Sequence, residues 1–224
     1  MVASTDWLVS VPAELDAGPA SMLPLAGPVA LGTLRTGRLG PGETVLITAG
    51  AGAIGHLAVQ LAKLQGAGTV IATAGPAKLG YLKELGADAA IDHTQPGWAD
   101  QVRAAAPSGV DLALEAVGGT MLHQSIDLLA PFGRVVVFGA SAGELTSVPV
   151  RSLFAMKSVT GFSLLALRAA SAAQARADIA ELTGLFLTGR LRATTETTLP
   201  LAEVAQAHQL LDDRAVIGRL LLTP

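Results

Sequence analysis

Gly50, Gly52 and Gly55 follow the apolar, β-branched run Val45 to Ala49 in the spacing G-x-G-x-x-G. Each glycine has its own physical task in such a run. Gly50 lets the chain turn sharply off a strand, Gly52 omits a side chain where the backbone approaches a pyrophosphate, and Gly55 lets the following helix lie close on the sheet. The anion then rests on unpaired N–H groups at the helix start. From Ala53 the pattern changes to helix formers, with Leu57, Gln60, Leu61 and Leu64 on one side, and Thr69 to Thr73 is apolar and β-prone again. Strand, glycine turn, helix and strand in this order form the β-α-β unit that binds a dinucleotide, and without that context the same glycines read as packing residues. Thr48, Gly50, Gly52, Ala53, Ile54 and Gly55 are therefore the first expected nucleotide contacts.

The elements that must position this turn read as a repeated alternation. After the strand at 69–73, Pro76 starts a helix over 76–85 that Gly86 ends, and 89–92 is a third strand. A helix over 98–105 and a strand over 110–115 follow, then a helix opened by Gly118 and Gly119 that runs through Leu122, Ile126 and Leu129. The strand RVVVFG ends at Gly139. Continuous apolar strands alternating with helices predict an α/β fold, a doubly wound parallel (Rossmann) sheet covered on both faces. The carboxyl ends of its strands face the ligand crevice, which adds Ala74, Gly75, Val117, Gly118, Gly139, Ala140 and Ser141 to the expected contacts. Turn chemistry alone would also account for several of these.

Flanking segments exceed what such a domain needs. Residues 6–11 read as a strand, 19–38 as one broken or kinked helix among prolines 19, 24 and 28, and 157–165 as a sixth strand. A long helix is expected over 169–186, a strand over 192–198, a helix over 201–211 and a closing strand over 215–223.

At 224 residues the chain can bury one substantial core, and its formal charge of −3 shows no basic stripe, so nucleic acid is not an expected partner. Cysteine is absent, which excludes disulfides and thiolate metal ligands, and the four histidines show no metal-ligand spacing. Acidic residues at 6, 14 and 16 interrupt the N-terminal region, so no signal peptide is read, and the apolar run 53–62 is too short for a membrane span. A cytoplasmic location is expected.

The runs LRTGRLGPGETVLITAGAGAIGHLAVQLAKLQGAGTVIATAGPAKLGYLKELGADAAID, GVDLALEAVGG, LLAPFGRVVVFG and LPLAEVAQAHQLLDDRAVIGRLLLTP cover most of the chain between them. In this order they resemble the zinc-free quinone oxidoreductase branch of the medium-chain dehydrogenase/reductase superfamily. The resemblance implies a barrel-like catalytic domain of which DWLVSVP is the last strand and to which the C-terminal strands return. It divides the chain into a remnant of that domain, residues 1–18 and 192–224, and a linking helix with the dinucleotide-binding domain, residues 19–191.

An NAD-preferring fold carries Asp or Glu at the end of its second strand, whereas Thr73, Ala74, Gly75 and Pro76 stand there with Lys78 just beyond. No carboxylate repels a 2′-phosphate, so NADP is the expected cofactor; the bland reading of Lys78 is a solvent-facing lysine. The resemblance implies that Lys78 holds the phosphate, with His93 beside it. It also allows Arg214 to approach the phosphate, although a solvated arginine is the preferred reading.

No catalytic residue is assigned, because hydride transfer needs positioning and exclusion of water more than a base. His56 is expected near the cofactor backbone, and His123 and His208 at the surface or partly packed. The expected function is an NADPH-dependent reductase of a quinone or an α,β-unsaturated carbonyl compound. The competing class is non-reducing: a cofactor-binding partner subunit, or an isomerase or cyclase on the same scaffold. The strand around 157–165, with Phe162 in it, is expected at a sheet edge that joins a second copy of the chain, a homodimer that the resemblance also implies.

Overall fold

The computed structural model describes residues 8–144 and 146–224. Its centre is a parallel six-stranded sheet in the order β3-β2-β1-β4-β5-β6. The strands are β1 (Thr44–Ile47), β2 (Thr69–Ala74), β3 (Ala89–Asp92), β4 (Val110–Glu115), β5 (Leu129–Val137) and β6 (Ser158–Gly161). This is the doubly wound Rossmann order, with the reversal of direction between β1 and β4. The central strands β1, β2 and β4 are buried on both faces because helices cover both. Val45 and Ile47 point into one core with Leu112 and Leu114, and Leu46 points into the other with Ala113 and Val135.

The first core is roofed by α1 (Ala17–Met22), α2 (Ala26–Thr36), α3 (Gly55–Leu64) and α4 (Leu79–Glu84), together with α8 (Ala172–Leu187). The second is roofed by α5 (Trp98–Ala105) and α6 (Gly119–Asp127). The expected kinked helix over 19–38 is two separate helices. Pro19 and Pro28 each occupy the third helical position, where a missing N–H costs no intrahelical bond, and the chain breaks between Met22 and Ala26. Small residues let α2 press inward: a Cβ at Gly27 would lie 3.0 Å from Leu182 Cδ1, and one at Gly32 only 2.6 Å from Phe162 Cε2.

That last contact corrects two expectations. The strand read over 157–165 closes at Gly161, and Phe162 turns inward onto α2 as part of the first core, away from the sheet edge. The chain then enters α7 (Leu164–Ala170), which Ser163 caps through its Oγ. The long helix expected over 169–186 is divided at Ser171, whose Oγ accepts from Gln174 N to start α8. Ser171 with Gln174 is an S-x-x-Q capping signal that the reading by apolar spacing passed over. Leu129, expected at a helix end, opens β5.

In the strand expected over 6–11, Asp6 and Trp7 lie outside the described residues, and residues 8–12 carry no strand. The C-terminal strands are shorter than expected. β7 (Thr197–Pro200) and β8 (Leu220–Thr223) pair with each other in parallel, linked by a 3-10 turn and α9 (Val204–Asp212).

Arg134 on β5 fastens the entrance of β1. Its guanidinium donates to both carboxylate oxygens of Glu43, at 2.8 and 2.6 Å, to the carbonyls of Arg38 and Asp111, and to that of Gly37. The hydrogen bond from Arg134 holds the Glu43 carboxyl below the usual carboxylate range. A depressed folded pKa contributes stability above the unfolded value and loses it as pH falls through the folded one. Arg134→Ala is expected to lower the unfolding free energy by about 3 kcal/mol at neutral pH, because Glu43 and the carbonyls lose their common donor. It should also shrink the acid-induced loss of stability; urea unfolding at neutral pH and at successively lower pH checks both.

Candidate nucleotide site

The expected contact residues lie at the carboxyl ends of β1 to β5, along one edge of the sheet. β1 ends at Ile47, Thr48 N continues the ladder to Leu114 O at 3.0 Å, and Ala49 takes a positive φ of 50°. The sharp turn off the strand is therefore made by an alanine in the left-handed region. Gly50 has a different task from the one expected: a Cβ there would stand 2.9 Å from Ala72 Cβ and 3.1 Å from Leu82 Cδ2, so it is small to fit against β2 and α4. At Gly55 a Cβ would lie 2.7 Å from Gly50 Cα, so only glycine lets α3 rest on the strand end.

Gly52 is the open position. An added Cβ meets only Ala49 O, at 3.4 Å. Ala53 and Ile54 complete the turn, and α3 begins without a side-chain cap on its first amides. Space at Gly52 beside an uncapped helix start is an arrangement that accepts a pyrophosphate.

Thr48 does not face this opening. It is fully buried; its hydroxyl donates to Leu114 O at 3.2 Å and accepts from Ala116 N at 3.0 Å. Beside it stands Glu115, the last residue of β4, fully buried and absent from the expected site. Its carboxylate accepts from Val117 N at 2.7 Å and Gly118 N at 3.0 Å, and lies 3.5 Å from Thr48 Oγ1. Burial pushes the Glu115 carboxyl above its ordinary range, against the pull of those amides and of Thr48. Gly118 has φ 82°, and Gly139 passes so near that a Cβ would lie 2.9 Å from Ala116 O. Ala140 and the exposed Ser141 follow, with Ser141 N donating to Ala116 O at 2.9 Å.

At the β2 end, Ala74 and Gly75 lead into the 3-10 turn that carries Lys78. The Lys78 ammonium donates to the carbonyls of Arg214 at 2.5 Å and Val216 at 2.7 Å, contacts invisible to a local reading. Its desolvation draws the pKa below the ordinary lysine value. His93 follows β3, half-buried, with Nδ1 enclosed and unpartnered. Burial lowers its pKa, Asp92 raises it and Arg214 lowers it again. Asp92 stands in register with Ala74 and is the nearest carboxylate in the sheet, but it is turned onto Thr94 and Gln95.

The C-terminal segment reaches the same turn. Gly218 forms a bridge with Gly52 and donates from N to Ala51 O at 2.9 Å. His56, fully buried, accepts from Thr194 N at Nε2, which leaves its Nδ1–H to donate to Gly52 O at 3.0 Å. Gln60 both donates to Arg192 O and accepts from Arg192 N. Elsewhere among the described residues, a largely apolar cavity of about 470 Å³ sits between Leu8, α7 and α8.

A doubly wound Rossmann domain of the kind found in dehydrogenases is what this sheet order and glycine turn define. The chain belongs to the zinc-binding dehydrogenase family, which matches residues 53–183, and within the medium-chain dehydrogenase/reductase superfamily it is of the zinc-free, quinone oxidoreductase-like kind. Among the described residues, no group of three His, Cys, Asp or Glu could hold a metal ion. It is 30% identical to the human synaptic vesicle membrane protein VAT-1 homolog over 206 residues, which cover 84% of this chain and 52% of that protein. The chain thus spans about half the length of the curated relatives it matches first. Among solved structures, it is 30% identical to the mycobacterial protein Rv1454c complexed with NADPH, with a TM-score of 0.87 over 96% of this chain and 66% of that one. A quinone oxidoreductase of Pseudomonas syringae pv. tomato is 29% identical, also with a TM-score of 0.87, over 96% of this chain and 67% of the other.

The second and third glycines of the turn, Gly52 and Gly55, differ in what a side chain would cost. Gly55→Ala is expected to cost about 1–3 kcal/mol of stability by overpacking, and Gly52→Ala less than about 0.5 kcal/mol. Denaturant unfolding of the two single variants checks this; equal losses would contradict the packing described.

Proposed function

We propose that the protein is an NADPH-dependent reductase that passes a hydride to a quinone or an α,β-unsaturated carbonyl compound. The observation that carries this reading is the glycine turn at the reversal of strand order, open at Gly52 and followed by an uncapped helix. Reduced nicotinamide bound here supplies the hydride. The chain's own residues bind and orient it: the turn 50–55 takes the pyrophosphate, and the loops after β4 and β5 wall the crevice and limit water. Oxidoreductase chemistry is supported by the family, and the relatives named quinone oxidoreductases support the acceptor class.

Preference for NADP over NAD is part of the same proposal. No carboxylate stands at the end of β2, and Lys78, His93 and Arg214 meet at that corner. An ammonium has three N–H donors, and the two carbonyls occupy two of them. Lys78→Ala is expected to weaken NADP binding by about 1 kcal/mol more than NAD binding. Calorimetric titration with both cofactors checks it, and equal losses would show that Lys78 serves only to hold the C-terminal turn.

Steady-state oxidation of NADPH with simple quinones and enones tests the activity. An acceptor-dependent rate is expected; binding of NADPH without one would transfer support to a non-reducing role. Gly52→Asp should abolish measurable nucleotide binding while the protein stays folded, since it sets bulk and negative charge where the pyrophosphate lies.

The proposal extends to the division of the chain at residues 18 and 192, to a cytoplasmic location and to a homodimer. Among the described residues no helix is long and apolar enough to cross a membrane. The dimer is supported by β6, an outer strand of the sheet, with exposed Phe132, Phe154 and Met156 on the neighbouring segments. Lys157 does not blunt this edge, because its ammonium donates to Ile126 O at 2.7 Å.

A further inference from the structure

Glu115 is a fully buried carboxylate at the crevice end of the strand beside the reversal point, and its hydrogen-bond partners among the described residues are a hydroxyl and two amides, with no cation. Its two oxygens and the Thr48 hydroxyl together receive three successive amides, those of Ala116, Val117 and Gly118. With these N–H groups drawn inward, the carbonyls of Ala116 and Val117 accept from Ser141 N and Ala142 N, both at 2.9 Å. The second loop therefore hangs on the first, and the first hangs on one carboxylate and one hydroxyl. An apolar residue at 115 would leave two enclosed amides unpaired. A charge is costly to bury, but N–H donors aimed at an ionised oxygen form stronger bonds than neutral pairs.

We propose that Glu115, with Thr48 behind it, is the positioning residue of the nucleotide crevice: it sets the shape of loops 116–118 and 139–142 without touching the ligand. This rests on the nucleotide reading of the crevice given above. A Gln at 115 has the same shape and keeps one acceptor oxygen, 2.7 Å from Val117 N and 3.2 Å from Gly118 N, but it sets an amide N–H group against the Gly118 N–H where the second oxygen accepted at 3.0 Å. An Asp keeps both acceptor oxygens, and a carboxylate on that shorter stem still accepts from the amide two residues on.

The test compares the unsubstituted chain with Glu115→Gln and Glu115→Asp in two measurements. Site-resolved amide exchange without nucleotide is expected to show lost protection at Gly118, Ser141 and Ala142 in the Gln variant, with α3 and β2 protected as before and the Asp variant close to the unsubstituted chain. NADPH titration is expected to show affinity about tenfold weaker for Gln and within about threefold for Asp. Unchanged loop protection in the Gln variant overturns the inference, as does lost protection with unchanged NADPH affinity. A Gln variant that loses protection across α3 and β2 as well, with no recovery in the Asp variant, shows a general packing role and overturns it too. If the unsubstituted chain binds no NADPH, the reading of the crevice fails and takes the inference with it. That result differs from failure of the inference alone, in which the unsubstituted chain and the Gln variant bind alike.

Discussion

The first turn of α3 lies against the end of β1 with less than a methyl group between them, and the rest of the site follows from that contact. It is possible because Gly55 has no Cβ and because Ala49 accepts the left-handed region, at a cost of about 1–3 kcal/mol. Brought this close, α3 places His56 and Gln60 one helical turn apart on the side that faces the C-terminal segment. His56 spans the gap from Gly52 O to Thr194 N, and Gln60 spans it to both main-chain groups of Arg192. One close contact thus fixes the glycine turn and the chain that crosses it.

The C-terminal segment is held by directional bonds more than by apolar burial. β7 and β8 are half exposed, and α9 buries only Ala207 among its nine residues. What locates them is Gln60, His56, Lys78 and the Ala51 carbonyl, each paired with a main-chain group of residues 192–218. Buried side chains that use both donor and acceptor in this way specify a single register, since a slip by one residue leaves each of them unsatisfied. Gly218 is bound to its place for a second reason: its φ is 65°, and a Cβ would lie 2.9 Å from Thr194 Cβ.

The parallel strands were legible because burial on both faces makes them continuous apolar runs; 89–92, 98–105 and 110–115 coincide with β3, α5 and β4. The glycine spacing was legible as a tight turn between a strand and a helix, but the task of each glycine was not wholly so, since the tight fit of Gly50 depends on Ala72 and Leu82 in other elements. Glu115 escaped notice because a carboxylate ending a strand reads as a solvated group until the strand order encloses it. Phe162 was misplaced for a similar reason: its run is strand-like, and only the space over Gly32 on α2 draws the ring inward. Ser171 was the one miss with a local signal, the cap three residues before Gln174.

The corner after β2 shows how far a local reading of charge reaches. A lysine just past β2, with no acid before it, argues for a phosphate, and nothing within 20 residues of Lys78 suggests another use for it. The structure gives its ammonium two carbonyl partners from residues 214 and 216, and these neutral acceptors orient the charge without cancelling it. The same contacts keep Arg214 near His93, whose pKa is lowered mainly by burial and further by the Arg214 charge. The positive character of the corner therefore belongs jointly to the turn after β2 and to a segment more than 130 residues away. A carboxylate on that segment would change the charge of the corner while leaving the glycine turn and β2 untouched, so the proposed preference for NADP depends on the tertiary contact as well as on the local sequence after β2.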